Sequence, residues 1–185
     1  MTGFRAAAWG AALGILLALT IACSSPEPVP VPAAPASAAP AQHTVADLCA
    51  ALLAYFRGDL GVVDLQPAPE HDLSTPLRIA GRCVVAAGSE RVGSISITPA
   101  PNADRTEVET PLYQRLEGVS GRGWVSDVRP YGPLTFLLYD NESRVSLFVY
   151  ESAARTATGP LALTDDQVRR TAEFGFEVAR TLASG

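Results

Sequence analysis

The sequence predicts an α+β domain: an antiparallel sheet with N- and C-terminal helices packed on one face. Near the start of the domain Val45, Leu48, Cys49, Leu52, Leu53 and Phe56 recur at helical spacing. Two groups of strand-like segments follow, with period-two alternation and turn residues between them. A second helical run closes the chain, opened by the capping box Thr164-Asp165-Asp166-Gln167. A half-apolar sheet and two amphipathic helices bury their apolar sides best when both helices lie on the same face.

Taken in order, Thr44 is a good N-cap with Asp47 three residues on, and Gly58 stops the first helix, which leaves Cys49 on its buried side. Residues 59–81 are irregular and hold Pro67, Pro69 and Pro76, with a short strand expected near Leu77–Ala80. Cys83-Val84-Val85-Ala86-Ala87 reads as a buried strand and Gly88-Ser89-Glu90-Arg91 as a turn. From Val92 to Thr98, Ile95 and Ile97 alternate with Ser94, Ser96 and Thr98, which completes a hairpin. Pro111–Leu116 reads as one short helix, capped by Thr110 and ended by Gly118. Trp124–Val128, Leu134–Tyr139 and Arg144–Tyr150 then form a meander, in which Val145, Leu147 and Val149 mark the inner face. The last helix runs from the capping box to about Ala183, with two acids at its N-terminus where the helix dipole favours them. The element order is thus α-β-β-α-β-β-β-α.

What precedes the domain is of a different kind. Arg5 is followed by an uncharged, mostly apolar run from Ala6 to Ala22, and then by Cys23. A positive start, an apolar core and a small residue at the cut describe a secretion signal over residues 1–22. Leu19-Thr20-Ile21-Ala22-Cys23 looks like a lipobox, which makes Cys23 the expected lipidated first residue of the mature protein. The competing reading is a permanent transmembrane helix. Ser24-Ser25 and the prolines after Cys23 speak against it, because a stop-transfer anchor is flanked by basic residues. Residues 23–43 are a Pro/Ala-rich linker that cannot bury a core. At about 3.1 Å per residue a polyproline-like tether of this length reaches up to about 60 Å from the anchor. The globular domain is expected over residues 44–185.

The 185 residues carry a formal charge of −5, and all 14 basic residues are arginine. Without the leader, whose one charged residue is Arg5, the charge is −6. A nucleic-acid binder needs a basic stripe to displace counterions from phosphates, so that class is excluded. The absence of lysine removes Schiff-base chemistry. After Cys23 two cysteines remain, Cys49 and Cys83, and only one pairing exists between them. Export permits a disulfide. With no C-x-x-C and neither histidine at ligand-like spacing, a structural bridge is preferred to redox or metal-binding thiols.

Candidate chemistry is sparse. His71 lies between Glu70 and Asp72 in a loop, which falls short of a zinc site without distant help. Gly118-Val119-Ser120-Gly121-Arg122-Gly123 lacks both the Gly-x-Ser-x-Gly spacing of a nucleophile elbow and the Lys-Ser/Thr of a phosphate loop, so it reads as a turn. Trp124, Tyr131, Tyr139 and Tyr150 gather aromatic side chains in the meander, where those on the open side of the sheet are candidates to line a groove for an apolar or sugar ligand. The competing reading for them is core packing.

The layout resembles small envelope lipoproteins of actinobacteria, of the mycobacterial type with a sensor-like or PsbP-like α+β domain. The matching features are the lipobox at Cys23, the Pro/Ala linker, a Leu48-Cys49 helix, an Arg82-Cys83 strand and a final helix with the ending Arg180-Thr181-Leu182. Some members of that type have further cysteines where this chain has one pair. The expected function is a non-catalytic binding or sensing module on the extracytoplasmic face of the cell membrane, held there by the lipid at Cys23. Its partner would be an envelope protein, lipid or glycan, and no cofactor or metal is implied. The alternatives are an envelope hydrolase using Ser120 and His71, or a lipid or glycolipid carrier with an apolar cavity between sheet and helices.

Overall fold

The computed structural model describes residues 42–68, 70, 72–77, 81–100, 111–140 and 143–182. The chain divides into two units, Met1–Ala38 and Ala39–Gly185, and all described residues lie in the second. The leader, Cys23, His71 and most of the linker lie outside the described residues.

Helix α1 spans Val45–Gly58 and helix α2 spans Asp165–Leu182. The strands are β1 (Leu65–Pro67), β2 (Gly81–Ala87), β3 (Glu90–Pro99), β4 (Gln114–Arg115), β5 (Arg122–Asp127), β6 (Leu134–Asp140) and β7 (Ser143–Val149). They form one antiparallel sheet in the order β1-β2-β3-β7-β6-β5-β4. A separate ribbon pairs β8 (Arg155–Thr156) with β9 (Gly159–Pro160). After the β2–β3 hairpin the chain crosses to the far edge and returns as a meander, so β7 closes against β3. Gly88, at φ +61°, sits in the two-residue turn of that hairpin, a left-handed conformation that a side chain disfavours.

Strand alternation decides which side chains meet the helices. Cys83, Val85, Ile95, Ile97, Leu134, Phe136, Leu138, Val145, Leu147 and Val149 are buried in the core cluster with Leu48, Leu52 and Phe56 of α1 and Ala172 and Phe176 of α2. Glycines admit the largest rings. A Cβ on Gly93 would lie 2.4 Å from Phe56 Cζ, and one on Gly121 would lie 2.4 Å from Phe176 Cε1. In the reverse sense Gly175 of α2 makes room for Leu138, whose Cδ1 would be 2.3 Å from a Cβ there.

The expected architecture is the observed one, with local differences. Pro111–Leu116 is not a helix: residues 111–112 turn, and Gln114 and Arg115 pair with Val125 and Trp124 as β4. Six residues make less than two helical turns, too few to offset nucleation, whereas the edge of β5 offers ready backbone partners. Leu77 lies in a turn, and residues 78–80 of the strand expected near Leu77–Ala80 lie outside the described residues. The short β1 and the β8–β9 ribbon were not expected from the sequence, since each is too short to show a period.

Candidate functional site

The two remaining cysteines meet. Cys49 and Cys83 form a disulfide with a Cα–Cα distance of 5.2 Å, closing a sequence separation of 34. Both are buried, and the bridge pins the middle of α1 to β2. It is a structural brace between helix and sheet.

The aromatic groove expected from Trp124, Tyr131, Tyr139 and Tyr150 does not assemble as one site. Trp124 and Tyr139 lie on the sheet face turned away from the helices, with ring centroids 5.6 Å apart and edge to face at 90°. Tyr131 belongs to the β5–β6 turn, where it is 97% exposed. Tyr150 follows the end of β7 and donates its backbone N–H to Val92 O. Because Leu134 pairs with both Asp127 and Val149, Tyr131 and Tyr150 sit at one end of the strands. Trp124 and Tyr139 pair with Leu137 and Arg122, farther along. At about 3.3 Å per residue, that offset separates the two pairs of aromatics. Residues in a turn have no sheet face, so alternation in the sequence could not place Tyr131.

Ser120 is tied to α2. Its hydroxyl donates to Glu173 Oε2 at 2.6 Å and accepts from Arg180 Nη1 at 3.1 Å, while its backbone N–H donates to Glu173 Oε1. The carboxylate therefore grips both the loop backbone and the side chain, and Gly121 next to it receives the Phe176 ring. This is how the 118–121 loop is seated on the helix.

A groove runs between the helices on their outer side. It has a volume of about 460 Å³, within the range of small-ligand sites. The Tyr55 and Phe174 rings stack at its floor, 4.2 Å apart and 7° from parallel. Thr171 gives its hydroxyl proton to Gln167 O at 2.7 Å, so Tyr55 must be the donor in its 2.8 Å bond to Thr171 Oγ1. Burial raises the Tyr55 pKa and the Thr171 bond opposes it, so the phenol stays neutral. Ala51 and Ala54 keep one wall low, Val178 and Leu182 line the other, and Asp59 and Glu177 give the rim negative charge. Arg170 on the rim is paired with Asp166 at 2.9 Å. The sequence signal for this groove is slight: Phe174 lies just off the apolar stripe of α2, on nearly the opposite side of the helix from Phe176.

The sheet–helix interface, by contrast, is filled. Phe56, Phe136, Phe176 and Leu138 are fully buried there, and the close approaches at Gly93, Gly121 and Gly175 leave no space at those points. The apolar cavity a lipid carrier needs is not at those positions. Among the described residues no group of His, Cys, Asp and Glu is placed to hold a metal ion, and no helix is long and apolar enough to cross a membrane. No family model, curated protein or solved structure matches the chain.

Proposed function

We propose that this chain is a lipid-anchored, extracytoplasmic binding module of the bacterial cell envelope, without catalytic activity of its own. The observation that carries the binding reading is the open groove between α1 and α2, with its stacked aromatic floor and acidic rim. An apolar floor below Asp59 and Glu177 suits an envelope partner that presents an apolar segment carrying positive charge. The address rests on the lipobox ending in Cys23 and on the buried Cys49–Cys83 bridge, which belongs in an oxidising compartment. Engagement of the Ser120 hydroxyl by Glu173 and Arg180 favours a bracing role for that loop over the hydrolase alternative.

The test has two arms. Intact-mass measurement of the membrane form should find a diacylglyceryl-modified Cys23, and Cys23→Ala should abolish it; an unmodified wild type overturns the anchoring. In a deletion strain, Ala54→Trp, which fills the groove from an exposed helix position, should fail to complement although folded. Ser120→Ala should complement. The opposite pattern, with Ser120→Ala null while folded and Ala54→Trp active, would establish the hydrolase reading instead.

A further inference from the structure

The sheet face opposite the helices holds a second constellation, independent of the groove. Tyr139 in β6 pairs across the sheet with Arg122 of β5 on one side and Arg144 of β7 on the other. Trp124, two residues along β5, meets Tyr139 edge to face. These four side chains therefore form one patch. Tyr139 is buried within it, while Trp124, Arg122 and Arg144 are half-buried. On the same face Thr98 lies beyond Arg144, and the row of Trp124 continues through Leu137 to Ser146 and Ser96.

Among the described residues, Arg122 Nη1 is a buried side-chain nitrogen with no hydrogen-bond partner. A guanidinium N–H withdrawn from water without an acceptor is costly, so an acceptor supplied by a ligand would be favourable there. A charged, forked donor beside aromatic rings matches one ligand chemistry well. A carboxylate accepts the guanidinium N–H groups in plane, and the apolar C–H face of a sugar ring packs on indole. The surrounding Ser and Thr hydroxyls match sugar hydroxyls. We propose that Arg122, Trp124, Tyr139 and Arg144 form a binding site for an acidic saccharide. Its carboxylate meets the half-buried guanidinium of Arg122, and its ring rests on Trp124. The net charge of −5 disfavours a nucleic acid.

Trp124 reports on its own site. The chain has two tryptophans, Trp9 and Trp124, and Trp9 lies in the leader, so the mature membrane form purified in detergent has a single indole. Titration with a galacturonic acid trisaccharide should give a saturable change in Trp124 emission. The neutral trisaccharide maltotriose and inorganic phosphate should give none at the same concentrations. Arg122→Gln should weaken trisaccharide binding by about tenfold or more, the size expected for loss of a charged hydrogen bond. If that variant does not fold, Arg122→Lys keeps the charge but loses the fork and should still weaken binding. No saturable response to the acidic trisaccharide overturns the proposal. So does an equal response to maltotriose, which would mean stacking without anion recognition, or full competition by phosphate, which would mean a bare anion site. The inter-helix groove is not involved, so the result is independent of the Ala54→Trp experiment.

Discussion

The two helices lie on the same sheet but are fastened to it by different means. α1 reaches β2 and β3 through large side chains, Leu48, Leu52 and Phe56, and is bonded covalently to β2 by Cys49–Cys83. α2 reaches β6 and β7 with mostly small residues, Thr171, Ala172, Gly175 and Ala179, and one large ring, Phe176. Polar ties from loops secure it: Glu173 to Ser120, and the segment before α2 to Glu151 through Leu163 N–H at 2.6 Å. The difference follows from the chain's route. The strand to which α1 is bonded, β2, begins only at Gly81, after the short β1 and a stretch that holds Pro67, Pro69 and Pro76, so the bridge ties α1 to a strand remote in sequence. α2 follows the meander it packs against after residues 150–164, which hold the β8–β9 ribbon, and its braces come from that segment and from the Ser120 loop.

The largest expected effect is at the single ring on which α2 depends. Phe176 is fully buried between α2, Gly121 and Leu138. Phe176→Ala should destabilise the domain by about 3–5 kcal/mol in equilibrium denaturation, as for other buried Phe truncations. A loss below about 1 kcal/mol would mean that α2 is held by its polar ties rather than by this ring.

The α1 attachment is tested by removing the bridge. Replacing Cys49 and Cys83 together with Ala should cost about 2–4 kcal/mol, with reduction of the wild type giving a similar loss. Hydrogen exchange should then rise more in α1 than in α2. Equal loss of protection in both helices would erase the proposed difference between them.

Much of this organisation could be read from the chain beforehand. The helix period around Cys49 and the capping box at Thr164 and Gln167 both correspond to real elements, and in the latter each residue bonds the other's backbone N–H. Ile95 and Ile97 face the core as their alternation demands. The pairing of β3 with β7 was not legible, because it joins residues some fifty positions apart and no local period encodes a partner. Pro111–Leu116 misled because a short mixed run takes its form from the available sheet edge. At the candidate sites the concentration of aromatics was visible, but only the strand register separates Trp124 and Tyr139 from Tyr131 and Tyr150. Nothing in the sequence distinguishes Arg122 from the other arginines; the burial of its Nη1 without a partner is read from the structure alone.

A smaller effect is expected where the helices touch each other. Tyr55→Phe removes the hydroxyl that donates to Thr171 but keeps the ring stacked on Phe174. Denaturation should register a loss of about 1 kcal/mol, and the groove should keep its shape. A much larger loss would show that the hydroxyl, rather than the stack, joins α1 to α2.

The smallest effect should appear near neutral pH and fade in acid, and it probes the polar ties near α2. Arg129 grips Asp127 with Nε at 2.8 Å and with Nη2, and spans to Glu151 at 2.9 Å and Leu163 O at 3.1 Å. The hydrogen bond from Arg129 holds the Asp127 carboxyl below its usual pKa, and the same bond raises that of the guanidinium. A carboxyl depressed in the folded state contributes stability that is fully present above its unfolded value, about 4. That contribution fades as pH falls through the lower folded value, because protonation then costs the folded state its ion pair. Asp127 is largely exposed, so water screens the pair and the contribution is modest. Asp127→Asn should therefore lower the melting temperature slightly near neutral pH, and the gap to wild type should close as the pH is taken down to about 2. A gap of constant size across that range would mean that Asp127 acts through its shape and neutral hydrogen bonds, and that Arg129 organises the approach to α2 through Glu151 and Leu163 alone.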